Sequence, residues 1–257
     1  MRIERILANN PGPFTGPGTN TWILGDDEER VIVIDPGPID DVHRTAIQSK
    51  VANRTVVGVF VTHTHIDHAP MANPLAHEYQ APAVGYGPGP AFVPDETLED
   101  GDVFPVGSID LEVVYTPGHA DDHLCFRTGN ALFSGDHIMG GSSVMVEALG
   151  PYLESLRKLR GKGLVRIHPG HGEEIGDPDA VIDWYIAHRL QRHEEILNAV
   201  KLGAGTIGDI VDVVYADVDK GLHPLAARSV DAHLTLLRDE GRIALIGDEI
   251  VVPPKSP

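Results

Sequence analysis

The chain has 257 residues, 42% of them hydrophobic, with 20 basic and 38 acidic side chains and a net charge of −18. That length fits one large domain or one domain with a small appendage, and no stretch reaches the roughly 18–20 apolar residues of a membrane span. Acid in such surplus repels polyanions at long range, which argues against high-affinity nonspecific nucleic-acid binding.

Residues 1–7 carry no apolar signal core and read as a first strand. The single cysteine, Cys125, sits in Leu124-Cys125-Phe126 and reads as a buried structural thiol. A chain with one cysteine and no leader is expected in the cytoplasm. A Pro/Gly/Asn loop over 9–20 leads into a strand at 21–24, and it is either a rim of the active site or a plain connector. Residues 26–30 read as a hairpin turn. A buried strand at 31–34 ends at Asp35, and a helix over 40–50 has Asp40 or Asp41 as its N-cap.

The apolar run 56–61 reads as a buried strand. It ends in His63-Thr64-His65-Ile66-Asp67-His68, four metal-capable side chains within six positions. Residues two apart in an extended chain share a side, so His63 and His65 converge on one ion. Asp67 and His68 lie in the following turn, within reach of a second ion. Imidazole and carboxylate are borderline-hard donors that suit Zn2+ and tolerate Fe or Mn.

Beyond this loop the pattern predicts a helix over 69–79, a strand at 81–84 and a punctuated loop at 85–90. An antiparallel pair follows at 104–107 and 109–115. Then comes Thr116-Pro117-Gly118-His119, with Asp121, Asp122 and His123 close behind. Thr128-Gly129-Asn130 turns a hairpin between 124–126 and 131–133, and the second strand leads into Ser134-Gly135-Asp136. A loop at 139–143, a helix over 152–160 and a strand at 164–168 lead to Pro169-Gly170-His171-Gly172.

His63 to His68 resembles the signature of the metallo-β-lactamase-fold metallo-hydrolases, and the three later motifs resemble the rest of that superfamily's set, in the same order. The resemblance covers about residues 15–200. It implies an α/β chain built as a four-layer αββα sandwich. It also implies that His63, His65 and His119 hold one zinc ion, that Asp67, His68 and His171 hold another, and that Asp136 bridges them. Asp35 then supports the metal loop without ligating. In this reading Asp67 and Asp136 are the catalytic carboxylates, and a metal-bridging hydroxide attacks a carbonyl centre of a thioester, ester, lactone or lactam. Asp136 stands where the class B1 and B2 lactamases carry cysteine, so the glyoxalase II, lactonase and ribonuclease branches match better. Asp121, Asp122 and His123 are expected beside the metals or at the rim, and His137 in a structural role.

Asp177-Pro178-Asp179 marks a boundary, dividing the chain into a catalytic domain at 1–178 and a helical winged-helix-like domain at 179–257. A long helix over 180–201 is expected to bury Trp184, Ile186, Leu190 and Ile196 or Leu197. A helix opening at 206, another over 224–238 and a two-stranded wing at 243–246 and 249–252, turning at Gly247-Asp248, complete the tail. This combination is similar to the group around beta-lactamase-like protein 2, whose members cleave single-stranded RNA. From residue 180 onward there are three Lys and five Arg against twelve Asp and Glu, a balance of about −4. A nucleic-acid-reading helix is expected to present a basic face, and Ser229-Val230-Asp231-Ala232-His233-Leu234 has none. The tail is therefore expected to pack on the catalytic domain, wall the cleft or form a homodimer contact. The expected partner is a small-molecule substrate and no membrane. RNA is the alternative partner, with endoribonuclease as the alternative activity. A mononuclear iron oxygenase and a non-catalytic winged-helix regulator stand further back.

Overall fold

The computed structural model describes residues 1–26, 29–141, 143–247 and 249–253. Asp27, Glu28, Ser142 and Asp248, which belong to three of the expected turns and loops, lie outside the described residues.

Two sheets face each other. The first contains β1 (Arg2–Leu7), β2 (Asn20–Gly25), β3 (Arg30–Ile34), β4 (Thr55–Phe60), β5 (Ala83–Gly85) and β6 (Glu96–Thr97), adjacent in chain order. β1 to β3 pair antiparallel, and β3 to β6 pair parallel. The parallel crossovers carry α1 (Asp41–Val51) and α2 (Ala72–Tyr79). The second sheet contains β7 (Val103–Val106), β8 (Ile109–Tyr115), β9 (Leu124–Thr128), β10 (Ala131–Gly135) and β11 (Arg166–Pro169). Its pairs are antiparallel except β10 with β11, whose crossover contains α3 (Leu149–Leu159).

Strand alternation makes the layers. Trp22 and Leu24, with Ile32, Ile34 and Phe60, point inward and meet Leu111, Val113, Phe126 and Phe133 of the opposite sheet. Ile23, Val31, Val33 and Val59, on the other face, bury against Ile47 and Val51 of α1 and Leu75 and Ala76 of α2. Val114, Cys125, Leu132 and Ile167 do the same against α3 and the start of α4 (Pro178–Lys201). Helix, sheet, sheet and helix give the four-layer αββα order. Period-two alternation requires it, because both faces of each sheet carry apolar side chains.

Helix starts follow local hydrogen bonding. Asp40 caps α1, its side chain accepting from the His43 N–H at 2.6 Å. Asp177 caps α4, with Pro178 in its first turn, where a missing N–H costs nothing. α2 begins at Ala72, three residues later than its apolar pattern predicts. The Ala69 N–H is already taken by the His65 carbonyl and the Met71 N–H by Gly37.

The tail comprises α5 (Ile207–Val214), a 3-10 turn at Lys220–Leu222, α6 (His223–Asp239) and a wing of β12 (Ala244–Ile246) paired with β13 (Glu249–Val251). Thr206 and Asp209 form a reciprocal capping box at the start of α5. Ile210, Val230, Leu234, Leu237, Ile243 and Ile250 make a small core of their own.

The buried stripe of α4 keeps Ile196 and Leu197 of the expected set but not Trp184 or Leu190. Trp184 is 52% exposed and Leu190 40% exposed. The buried face runs through Ile182, Tyr185, Arg189, His193, Ile196 and Val200 at helical spacing. Two members are polar and internally paired: an Arg189 guanidinium N–H donates to the Val144 carbonyl, and His193 lies 3.1 Å from Glu240. Hydrophobicity misreads the phase because these two residues count against the face that is buried.

Phe60 is fully buried between the sheets, edge-on to Phe104 and Phe126 with centroids 5.0 and 5.4 Å away. Phe60→Ala is expected to cost about 3–5 kcal/mol through lost transfer energy and a residual cavity. Urea unfolding should show a lower midpoint at an unchanged slope.

Candidate metal centre

Every expected ligand comes from the same edge of the two sheets. His63 to His68 follow the end of β4, and His119 follows β8. Asp136 and His171 follow β10 and β11. β10 and β11 pair in parallel and β4 ends beside them in the facing sheet, so residues over 100 positions apart become neighbours.

The side chains gather into two groups. His63, His65 and His119 form one; Asp67, His68, Asp136 and His171 form the other. Within each group the candidate ligand atoms lie within 4.8 Å of one another. In the first, His65 Nδ1 is 2.9 Å from His63 Nε2 and 3.1 Å from His119 Nε2. In the second, His171 Nε2 is 3.2 Å from His68 Nε2 and 3.1 Å from Asp67 Oδ2. Asp136 touches both: Oδ1 is 3.3 Å from His68 Nε2, and Oδ2 is 3.3 Å from His171 Nε2 and 3.7 Å from His119 Nε2. A tetrahedral zinc ion with bonds of about 2.0–2.1 Å sets its ligand nitrogens about 3.3 Å apart. The observed spacings fall within a few tenths of an ångström of that value.

The outward nitrogens identify the tautomers. His68 Nδ1 is 2.9 Å from Asp35 Oδ2, and His119 Nδ1 is 2.7 Å from the Met145 carbonyl. His171 Nδ1 is 3.1 Å from the Gly18 carbonyl. His63 Nδ1 is 3.0 Å from Thr62 Oγ1, whose own proton goes to Asp35 at 2.7 Å. Each of these partners accepts, so each Nδ1 carries the hydrogen when the ring is neutral. The four Nε2 lone pairs then face inward, as metal binding requires. With the rings neutral, Asp136 Oδ1 is buried and no hydrogen-bond donor satisfies it. A ring of converging lone pairs and an unsatisfied carboxylate oxygen fit cations better than an empty polar cavity.

Charge within the cluster divides the imidazoles. Burial, reinforced by His68 and His119, holds His63 well below the usual histidine range. Burial also works to lower His68, but the charges of Asp136 and Asp35 outweigh it and hold the ring well above that range. His171 is likewise opposed by burial and raised by hydrogen bonds to Asp136 and Asp67, to about 9. Asp136 stays well below the ordinary carboxylate range because His68 and His171 outweigh its burial.

Asp35 is the support the motif implies, and the structure adds residues the motif does not name. Thr62 donates to Asp35 from both backbone and hydroxyl, each at 2.7 Å, and Thr21 Oγ1 donates to the Asp35 carbonyl. Asn20 Nδ2 donates to the Pro169 and Gly172 carbonyls at 3.0 and 2.9 Å and ties β2 to the His171 turn. The loop over 9–19 is therefore no plain connector, since Gly18 orients His171 and Asn10 bonds Thr19. Gly170 is required where it stands: a Cβ there would come within 2.6 Å of Asp136 Oδ1 and 2.7 Å of His68 Cε1. The sequence signal for these residues is faint, a Thr or Asn at a strand end beside a ligand motif.

The remaining candidates fall outside both groups. Asp122 Oδ2 accepts from the Thr64 N–H at 2.9 Å, and the Asp121 carbonyl accepts from Tyr115. His137 is fully buried, 4.7 Å from the Tyr152 ring, and burial pushes its pKa down to about 3. His193, on the inner face of α4, packs on His233. Cys125, on β9, is buried, and burial pushes its thiol up to about 12.

Comparison with known proteins agrees with this geometry. Residues 14–171 match the metallo-beta-lactamase superfamily, and residues 206–250 match the beta-lactamase associated winged helix domain. An atrochrysone carboxyl ACP thioesterase of Aspergillus aculeatus is 31% identical, over 95% of this chain and 83% of its own length. A beta-lactamase-like protein 2 homolog of Caenorhabditis elegans is 33% identical, over 93% of this chain and 85% of its own. The crystal structure of a metallo-beta-lactamase family protein from Thermus thermophilus superposes with a TM-score of 0.81 at 20% identity, over 98% of both chains. Motifs, layers and ligand geometry agree: the chain belongs to the metallo-beta-lactamase superfamily, as a metal-dependent hydrolase with a C-terminal winged-helix domain.

Proposed function

We propose that the chain is a dinuclear zinc hydrolase acting on a carbonyl centre, a thioester first among the candidates. One observation carries the dinuclear reading: two ligand groups lie side by side with the Asp136 carboxylate against both. His63, His65 and His119 would hold one ion, and Asp67, His68 and His171 the other. Imidazole with carboxylate is a donor set that suits zinc and tolerates iron or manganese. Such a pair of ions supplies Lewis acidity that activates water and neutralises charge developing on oxygen.

The chain's own residues do the rest. Burial works to raise Asp67, but the His171 hydrogen bond and the His68 charge outweigh it and keep the carboxylate ionised. It is then an acceptor for the hydrogen bond of an incoming water. His63, His68, His119 and His171 are held rigid by the partners on their Nδ1 atoms, so little reorganisation accompanies the reaction. Neither group contains a cysteine, and this reading assigns the attack to water rather than to a thiol.

The carbonyl assignment has two supports. The thioesterase relative aligns over almost the whole chain, winged-helix domain included. A net charge of −18 disfavours a polyanionic substrate. α6 strengthens the second point, since its only Arg or Lys side chains are Arg228 and Arg238, and Arg228 is paired with Glu147. No helix among the described residues is long and apolar enough to cross a membrane.

A panel of a thioester, an aryl ester, a lactone, a β-lactam and single-stranded RNA, assayed beside metal analysis, tests the assignment. About two zinc ions per chain and turnover of the thioester are expected. Asp136→Ala should lose metal and reduce turnover by at least 1000-fold, on the order of a lost charge-stabilising group. RNA cleavage that Asp136→Ala abolishes would replace the carbonyl reading with a phosphodiesterase. One iron per chain with oxygen consumption would remove the hydrolase reading.

Zinc uptake should also release protons. His171 in the metal-free protein holds its proton up to about pH 9 and must give it up to ligate. Affinity should therefore rise with pH, by up to roughly tenfold per unit for each proton displaced from His68 and His171, with the His171 share levelling off near that value. Titration calorimetry at pH 7 in two buffers of different ionisation enthalpy measures the proton count. Stability of the metal-free chain has the opposite sign. The His171 contribution is present below the unfolded pKa of 6.5 and is lost as pH rises through about 9.

A further inference from the structure

His123 lies outside both ligand groups, yet it joins three of the segments that carry them. Its backbone carbonyl accepts from the Thr116 N–H at 2.9 Å, three residues before His119. The next N–H, of Leu124, donates to the Thr62 carbonyl at 2.7 Å, directly before His63. Its ring reaches the third segment, where the Asp136 backbone N–H donates to His123 Nε2 at 3.2 Å. The ring is fully buried and lies 5.0 Å from that of His63.

A backbone N–H only donates, so Nε2 must accept and the ring proton must sit on Nδ1. Nδ1 is 2.9 Å from Thr116 Oγ1. The Thr116 hydroxyl in turn donates to Cys125 Sγ at 3.2 Å, and the Cys125 thiol is 3.6 Å from the Ser134 carbonyl. One direction of donation satisfies the whole chain, from Asp136 through His123, Thr116 and Cys125 back to Ser134. It closes a loop around Gly135, where a Cβ would come within 2.7 Å of His123 Nε2. This backbone turn therefore has no room to shift.

We propose that His123 is a positioning residue for the metal centre: its neutral ring, with the proton on Nδ1, holds the Asp136 backbone so that the carboxylate meets both ligand groups. The inference rests on the reading that Asp136 ligates metal. It adds that the aim of this carboxylate is set from the opposite side, by a hydrogen-bond chain running through β8, β9 and β10.

The test compares zinc affinity, measured by competition with a chromophoric chelator, and the visible absorption of the cobalt-substituted protein. Thermal unfolding of the metal-free form serves as the control for folding. His123→Phe keeps a ring and loses both nitrogens; His123→Gln keeps an acceptor and a donor. His123→Phe should weaken zinc binding by about 10–100-fold, the range for partners behind a metal ligand, and should change the cobalt bands. His123→Gln should recover most of both. Unaltered affinity and spectrum in a folded His123→Phe protein would overturn the proposal. So would a folded His123→Gln protein as weak as His123→Phe, because ring packing would then be the cause. If His123→Phe does not fold, Thr116→Val and Thr116→Ser take its place. Valine should weaken zinc binding several-fold and serine restore it, and two variants equal to the unaltered chain would overturn the proposal. An unaltered chain that takes up no zinc fails the metal reading itself, a result distinct from all of these.

Discussion

The Asp35 carboxylate is buried at the end of β3 and accepts from the Thr62 backbone, the Thr62 hydroxyl and His68 Nδ1, and the metal loop takes its shape from those three bonds. A buried carboxylate without such donors would be costly. With them it fixes the strand exit, the tautomer of His68 and, through Thr62, that of His63. Asp35 itself takes a positive φ of 49°, a conformation that costs about 1–3 kcal/mol for most side chains and is least unfavourable for Asp and Asn. Thr21 and His43 brace it from behind: Thr21 Oγ1 donates to the Asp35 carbonyl and lies 2.8 Å from His43 Nε2.

From that anchor the two sheets divide the work. The first delivers four candidate ligand side chains from one loop, already arranged by local spacing. The second delivers three from separate strand ends, each of which needs its own support. His119 has the Met145 carbonyl, His171 has the Gly18 carbonyl, and Asp136 has the His123 ring on its backbone. The centre lies at the seam between the sheets, so the inter-sheet packing around Phe60, Phe126 and Phe133 also sets how closely the first sheet's candidate ligands meet the second sheet's within each group.

What could be read in advance divides along the same line. The His63-to-His68 loop was legible because its geometry is local: alternation along an extended chain puts two imidazoles on one side. The strands were legible because both faces of each sheet are apolar and turn residues separate them. The start of α2 lies later than its pattern predicts because residues 66–71 form turns tied to His65 and Gly37, a tie that only tertiary structure reveals. The buried face of α4 was misread because Arg189 and His193 occupy it. The His123 chain could not be read at all, since Thr116, Cys125, Ser134 and Asp136 meet only after three strands have paired.

The Arg189 contact gives α4 a mechanical role. The first half of this helix is clamped in the catalytic core through Ile182 and Tyr185, and the second half belongs to the winged-helix core through Ile196 and Val200. Between them, Arg189 grips the Val144 carbonyl, and the next carbonyl, of Met145, is the one that orients His119. A tilt of the C-terminal module would therefore bear on the peptide unit beside the candidate metal centre, through this helix and through the Arg228–Glu147 pair.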